Sequence, residues 1–294
     1  MTPGPRYGRW RRAAQVAVVA FYLALPFTGA KAVAGTLAAL ALGPVDLVEP
    51  AAALSAAIAA RGQVGWALLV GALPVVLLAA ALGPVFCSWA CPFGLLSEGI
   101  QRLRWGRRRW TGQPWVTARR ARVASLLSLL AASAALGQPV AALLSPPRLV
   151  TALPLEARAA RAIPLVTAGL LLALLALEVL GPRRILCRAL CPAGAVANFL
   201  RTRRSVRPRL LPERCACATE ARCLQACPWG IDPREMRLHD GCTTCLACVE
   251  RCPSGALALG RASDASGAAT RPGSDPHGMG GARAPRVAAS LGDG

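Results

Sequence analysis

The spacing Cys242-x2-Cys245-x2-Cys248-x3-Cys252-Pro253 constrains this chain more than any other feature. Three thiolates at that spacing wrap one face of an iron–sulfur cube, and the fourth cysteine, followed by proline, reaches across to a second cube. A structural zinc site needs only four sulfurs and usually spaces them as separated pairs. The segment therefore reads as a cluster loop. Upstream stands Cys215-x-Cys217-x5-Cys223-x3-Cys227-Pro228, whose second half follows the same pattern and whose first half does not. The simplest assignment gives Cys215, Cys217, Cys223 and Cys252 to one [4Fe–4S] cluster. Cys242, Cys245, Cys248 and Cys227 then hold a second. The irregular interval between Cys217 and Cys223 leaves the ligand set of the first open.

A second cysteine pattern occurs twice. Phe86-Cys87-Ser88-Trp89-Ala90-Cys91-Pro92-Phe93-Gly94 recurs as Leu186-Cys187-Arg188-Ala189-Leu190-Cys191-Pro192-Ala193-Gly194, and each copy follows a Gly-Pro pair. Cysteines four apart share a helical face, so Cys87/Cys91 and Cys187/Cys191 are matched thiol pairs. Free cysteine is often just a small buried apolar residue, but repetition of the whole motif argues against that. Four thiolates gathered by a repeat suit a soft metal such as Cu(I), a further cluster, or redox dithiols. The sequence does not choose among them.

The remaining length is strongly apolar: 54% hydrophobic residues, mean hydropathy +0.44, 16% charged. Four stretches, at about 13–30, 64–86, 123–144 and 163–180, approach the roughly 20 residues that cross a bilayer. These predict an α-helical integral membrane protein with four transmembrane helices as two parallel helix-pair repeats. A small α+β two-cluster ferredoxin-like C-terminal domain follows them. The net charge of +20 is almost entirely arginine, Lys31 being the single lysine. Arginines cluster before the first stretch, between the second and third (Arg102 through Arg122), and after the fourth (Arg183 through Arg209). The positive-inside rule then predicts a multi-pass inner-membrane protein with both termini cytoplasmic. The domains expected are a basic N-terminus over 1–12, a membrane domain over 13–209, a ferredoxin-like domain over 210–260 and a disordered Gly/Ala/Pro-rich tail over 261–294.

Basic character here flanks apolar runs and lacks the interleaved aromatics of a single-strand reader, which excludes nucleic acid as partner. Only His239 and His277 are present, so bis-histidine haem within the apolar stretches is excluded. Glu98, Gln101, Glu178 and Asn198 stand near helix ends as weak candidates for quinone contact or proton transfer. The arginine runs need no role beyond topology and headgroup contact.

The paired C-x3-C-P motifs, the two C-terminal cysteine motifs, Arg11-Arg12 with Gln15, and Glu49-Pro50 together resemble the NapH/MauN-type membrane ferredoxins over about residues 8–260. The resemblance implies a quinol dehydrogenase component. It would take electrons from the quinone pool and pass them through two [4Fe–4S] clusters to other redox subunits, ferredoxin-type or cytochrome, at a membrane. Two rival functions stay open: a copper reductase or assembly factor using Cys87, Cys91, Cys187 and Cys191, and an anchor receiving electrons from a cytoplasmic donor.

Overall fold

A computed structural model describes residues 7–28, 33–63, 65–105, 115–215, 222–234, 236 and 238–260. The expected tail over 261–294 lies outside the described residues. Helix α1 (Tyr7–Ala24) leads into a three-stranded antiparallel meander, β1 (Val33–Thr36), β2 (Ala39–Leu42) and β3 (Val45–Val48). Its register pairs Val33 with Leu42 and Ala39 with Val48. Helix α2 (Pro50–Ala59) follows, its first turn set by Pro50 behind extended Glu49.

Two structurally matched segments come next. Helix α3 (Trp66–Leu82) stops at Gly83-Pro84 and gives way to the short α4 (Val85–Trp89), which carries Cys87, and then to α5 (Pro92–Trp105). After α6 (Trp115–Leu136), α7 (Val140–Leu143) and α8 (Pro146–Ala160), the pattern returns. Helix α9 (Leu165–Leu180) stops at Gly181-Pro182, a π-helical turn (Leu186–Leu190) carries Cys187, and α10 (Pro192–Phe199) begins. The same backbone bond closes both turns: Cys91 N–H donates to the Phe86 carbonyl at 2.9 Å and Cys191 N–H to the Leu186 carbonyl at 2.7 Å. Proline stands at the start of the helix behind each second cysteine, where its missing N–H costs nothing.

The C-terminal part pairs β4 (Arg207–Leu210) with β5 (Leu257–Gly260) antiparallel, and between them lie α11 (Arg222–Ala226) and α12 (Ala247–Glu250). The central core joins the two repeats. Phe93, Leu149, Leu171 and Leu186 pack together with Cys91, bringing α5, α8, α9 and the π turn into one cluster. Phe93 and Leu149, nearly inaccessible, each stabilise the fold by roughly 1.5–3 kcal/mol through burial.

The expected architecture of four transmembrane helices is not what forms. No helix among the described residues is long and apolar enough to cross a membrane. The reason is that chain breakers cut each apolar run. Helix α3 has 17 residues and α9 has 16, so they are about 26 and 24 Å long at 1.5 Å per residue, against a hydrocarbon core of roughly 30 Å. The third run is divided by Gly137 between α6 and α7, and the first loses its helix at Ala24. Helix α1 also carries Arg9, Arg11 and Arg12, and α6 carries Arg119, Arg120 and Arg122. Among the described residues the fold is mixed, mostly helical with two small sheets. The meander over 33–48, between the first two apolar stretches of a domain expected to be helical, is the other departure from expectation.

Candidate metal centre

The loop through Cys242, Cys245 and Cys248 has no regular structure until α12. Gly241 (φ +87°), Thr244 (φ +53°) and Leu246 (φ +61°) lie in the left-handed region. Such residues interrupt an otherwise right-handed path and curl the chain, turning successive N–H groups toward an anion. Other elements hold this strained loop in place. Arg201, almost fully buried, donates to the Cys242 carbonyl at 2.8 Å. The Ser88 hydroxyl donates to the Thr243 carbonyl at 2.6 Å, and the Trp89 indole N–H to the Thr244 carbonyl at 3.2 Å. Cys242 N–H donates to Asp240 at 3.0 Å.

Cys227 is brought to this loop, close enough that Cys245 and Cys242 raise its pKa electrostatically. Cys248 feels Cys245, Cys242 and Cys227 in the same way. Burial is the larger cause throughout: it pushes the Cys227 thiol up to about 12 and that of Cys242 up to about 11, with the Arg201 guanidinium pulling Cys242 the other way. The Ile231 N–H points at the Cys227 sulfur at 3.4 Å.

A second group lies beside it. Cys223 packs with Leu257 and Cys252 in a small apolar cluster that also touches Cys248. Arg234, ion-paired to Asp232 at 2.7 Å, is near both Cys223 and Cys215. Burial raises Cys252, yet hydrogen bonds from Ser254 and from the backbone at Ala256 and Leu257 outweigh it and hold that thiol below its usual value. Cys217 lies outside the described residues.

The four C-x3-C-P cysteines form a third group. Cys87, Cys91, Cys187 and Cys191 line one pocket, partly open to solvent, with Arg122, Asn198, Trp229, Gly241 and Thr243 among its walls. Within each pair the cysteines do not share one continuous helix: a break separates Cys87 from Cys91, and another separates Cys187 from Cys191. Gly94 makes the tight return possible, since a Cβ there would come within 2.9 Å of the Cys87 carbonyl. Burial pushes Cys87 up to about 12 and Cys91 up to about 11, and also raises Cys187 and Cys191 well above the usual thiol value. Arg122 is buried against Cys87, Cys191, Asp240 and Cys187, and its Nε–H donates to the Arg188 carbonyl at 3.1 Å. Arg184 stacks on Trp229 with its guanidinium carbon 5.2 Å from the ring centroid.

All cysteines among the described residues are free. Among these residues no three His, Cys, Asp or Glu side chains converge closely enough to hold a single metal ion. A cube presents one iron at each of four corners, so its thiolates surround a core rather than meet at a point. Groups of soft sulfur donors that do not meet at a point, beside buried arginines, have the donor chemistry an iron–sulfur cluster takes. Metal binding must displace the thiol protons, which makes the raised thiol values a barrier that a multiply charged core overcomes.

Comparison with known proteins agrees with this donor chemistry. The family described as "4Fe-4S binding domain" matches residues 64–112 and 163–209, the two C-x3-C-P segments. The ferredoxin-type protein NapH of Haemophilus influenzae is 27% identical over 262 residues, covering 84% of this chain and 87% of that protein. The chain is NapH-like. No solved structure matches it. Both similarities point to [4Fe–4S], ferredoxin-type chemistry.

The remaining sequence candidates fall in distinct places. Glu98 pairs with Arg11 at 2.9 Å and with Arg102 at 2.5 Å. Glu178 is fully buried, accepting from Ser97 at 2.5 Å, from Gln101 at 3.5 Å and from the Leu186 N–H at 3.3 Å. Asn198 reaches the pocket wall. Arg122 and Arg201, read as topology determinants, are instead buried beside thiols and the cluster loop. Only their position at the end of a basic run, next to an apolar segment, hinted at this.

Proposed function

We propose that the NapH-like chain oxidises quinol and passes the electrons through two [4Fe–4S] clusters, one held by Cys227, Cys242, Cys245 and Cys248 and one by Cys215, Cys217, Cys223 and Cys252, to a ferredoxin-type or cytochrome partner. The observation that carries this reading is the course of α3 and α9. Both helices expose apolar side chains such as Leu73, Leu77, Val166 and Leu172, and each ends at a Gly-Pro break directly before a thiol-bearing turn. A lipid-soluble reductant travelling along those faces arrives beside the thiol groups. The same faces favour a position at the inner membrane, on its cytoplasmic side, with apolar surface against lipid.

When bound, the clusters supply one-electron acceptors whose potentials are set by charge, hydrogen bonds and exposure. The chain's own residues do the positioning. Ser88, Trp89 and Arg201 hold the backbone of Thr243, Thr244 and Cys242, so the distance between the repeats and the cluster loop is rigid. The buried Arg201 also places positive charge beside the thiolates, which favours accepting an electron.

Anaerobic EPR of the detergent-purified protein, before and after a quinol analogue, tests the proposal, with iron and sulfide measured in the same sample. Cluster signals that grow on quinol addition are expected, and Cys245→Ser removes about four irons per chain. Clusters that stay oxidised with quinol but are reduced by dithionite overturn quinol oxidation by this chain and favour a cytoplasmic donor.

A further inference from the structure

The family match to a 4Fe-4S binding domain falls on residues 64–112 and 163–209, and the only cysteines in those segments are Cys87, Cys91, Cys187 and Cys191. Each segment therefore supplies two thiols, half of what a cube takes. The fold sets both halves around one pocket, although the pairs are a hundred residues apart.

Two further observations mark that pocket as built for a charged, hydrogen-bond-accepting group. The Arg122 guanidinium is buried in its wall, 6% exposed, facing three of the four cysteines. A charge so placed is costly unless anionic ligands compensate it. The Thr243 hydroxyl, a donor, is buried without a hydrogen-bond partner among the described residues, and Thr243 lines the same pocket. Orphaned buried polar atoms are rare in folded proteins and call for a ligand or water.

We propose that Cys87, Cys91, Cys187 and Cys191 hold one additional iron–sulfur cluster between the two repeats, with Arg122 as its buried counter-charge and the Thr243 hydroxyl as a donor to its sulfur. On transfer of a preassembled [4Fe–4S] core, four iron–thiolate bonds replace the bonds that held it on its carrier. The four thiol protons leave to solvent and no electron changes hands. Gly241 and Thr243, which line this pocket, flank Cys242 of the C-terminal loop, so the additional centre neighbours the Cys227/Cys242/Cys245/Cys248 group directly. Other occupants fit less well. Among the described residues no three sulfurs converge on one point as a three-coordinate Cu(I) site needs, and no cysteine pair is bridged.

The test is iron and acid-labile sulfide per chain in anaerobically purified full-length protein, with EPR, for wild type, Cys87→Ser/Cys187→Ser and Cys245→Ser. The double variant is expected to lose about four irons and four sulfides while keeping the signals that Cys245→Ser removes. Unchanged iron and sulfide in the double variant overturn the proposal, as does stoichiometric copper in wild type that the double variant loses. Should the double variant not fold, Cys91→Ser decides: three remaining thiolates give a new EPR signature and an unaltered spectrum overturns the assignment. The readout is metal content rather than turnover, so the result stands apart from whether quinol is the donor.

Discussion

The Ser88 hydroxyl donates to the Thr243 carbonyl across 2.6 Å, joining residues 155 positions apart and fastening the first C-x3-C-P turn to the loop that carries Cys242 and Cys245. Both residues are buried. Ser88→Ala leaves a buried carbonyl without this donor, which costs about 1–3 kcal/mol. Urea or thermal unfolding of the purified variant measures it, and an unchanged midpoint contradicts the role assigned to this bond.

Arg201 acts on the same loop from the other side through the Cys242 carbonyl, at 2.8 Å. Arg201→Met keeps much of the packing volume and removes the fork of donors. The expected result is a loop that releases iron faster. The half-life of cluster absorbance in air should fall several-fold relative to wild type, while Arg203→Met, at an exposed position, leaves it unchanged.

Glu178 joins α5 to the second thiol turn. Its carboxyl accepts from Ser97 at 2.5 Å and from the Leu186 N–H at 3.3 Å, one residue before Cys187. Glu178→Ala leaves several buried donors unpaired and is expected to destabilise by about 2–4 kcal/mol. Glu178→Gln, which retains an acceptor, recovers part of that loss. Thermal unfolding of the two variants side by side separates network loss from simple truncation.

Stability also depends on pH through Glu49. Burial raises its pKa to about 7, against the lowering effect of hydrogen bonds from Ser145 and the backbone at Ala51. The neutral form is therefore the one the fold favours. Its contribution is complete below the ordinary value of 4.5 and is lost as pH rises through about 7. Glu49 keeps some solvent exposure although its Oε1 is enclosed, so the effect is about 1–3 kcal/mol. Glu49→Gln should flatten the stability profile between pH 5 and 8 and gain stability at the alkaline end, as read from urea midpoints across that range.

Local chemistry made much of the site legible. Cysteine spacing and the proline after the last cysteine are properties of a few consecutive residues, so Cys242 to Cys252 was legible as a candidate cluster loop. The repeated C-x3-C-P turns were equally visible, because Gly-Pro breaks and proline at a helix start are local signals. Their stopping power was underestimated. Those same breaks shorten α3 and α9 to 17 and 16 residues, where hydropathy alone pointed to transmembrane helices. The meander over 33–48 was missed because its strands are four residues each, too short for a clear alternating pattern.

What the sequence determined by itself was the kind of chemistry: twelve thiols, no histidine pair in the apolar stretches, and two spacing patterns suited to iron–sulfur ligation. What only the tertiary structure decided was which thiols meet. Cys87 and Cys187 line one pocket because Phe93, Leu149, Leu171 and Leu186 pack the two repeats against each other. Arg122 became a buried charge beside them rather than a surface one because α6 lies across the second thiol turn, held by the bond from Arg122 to the Arg188 carbonyl. Such meetings are set by the burial of side chains far apart in the chain, and no window of consecutive residues contains them.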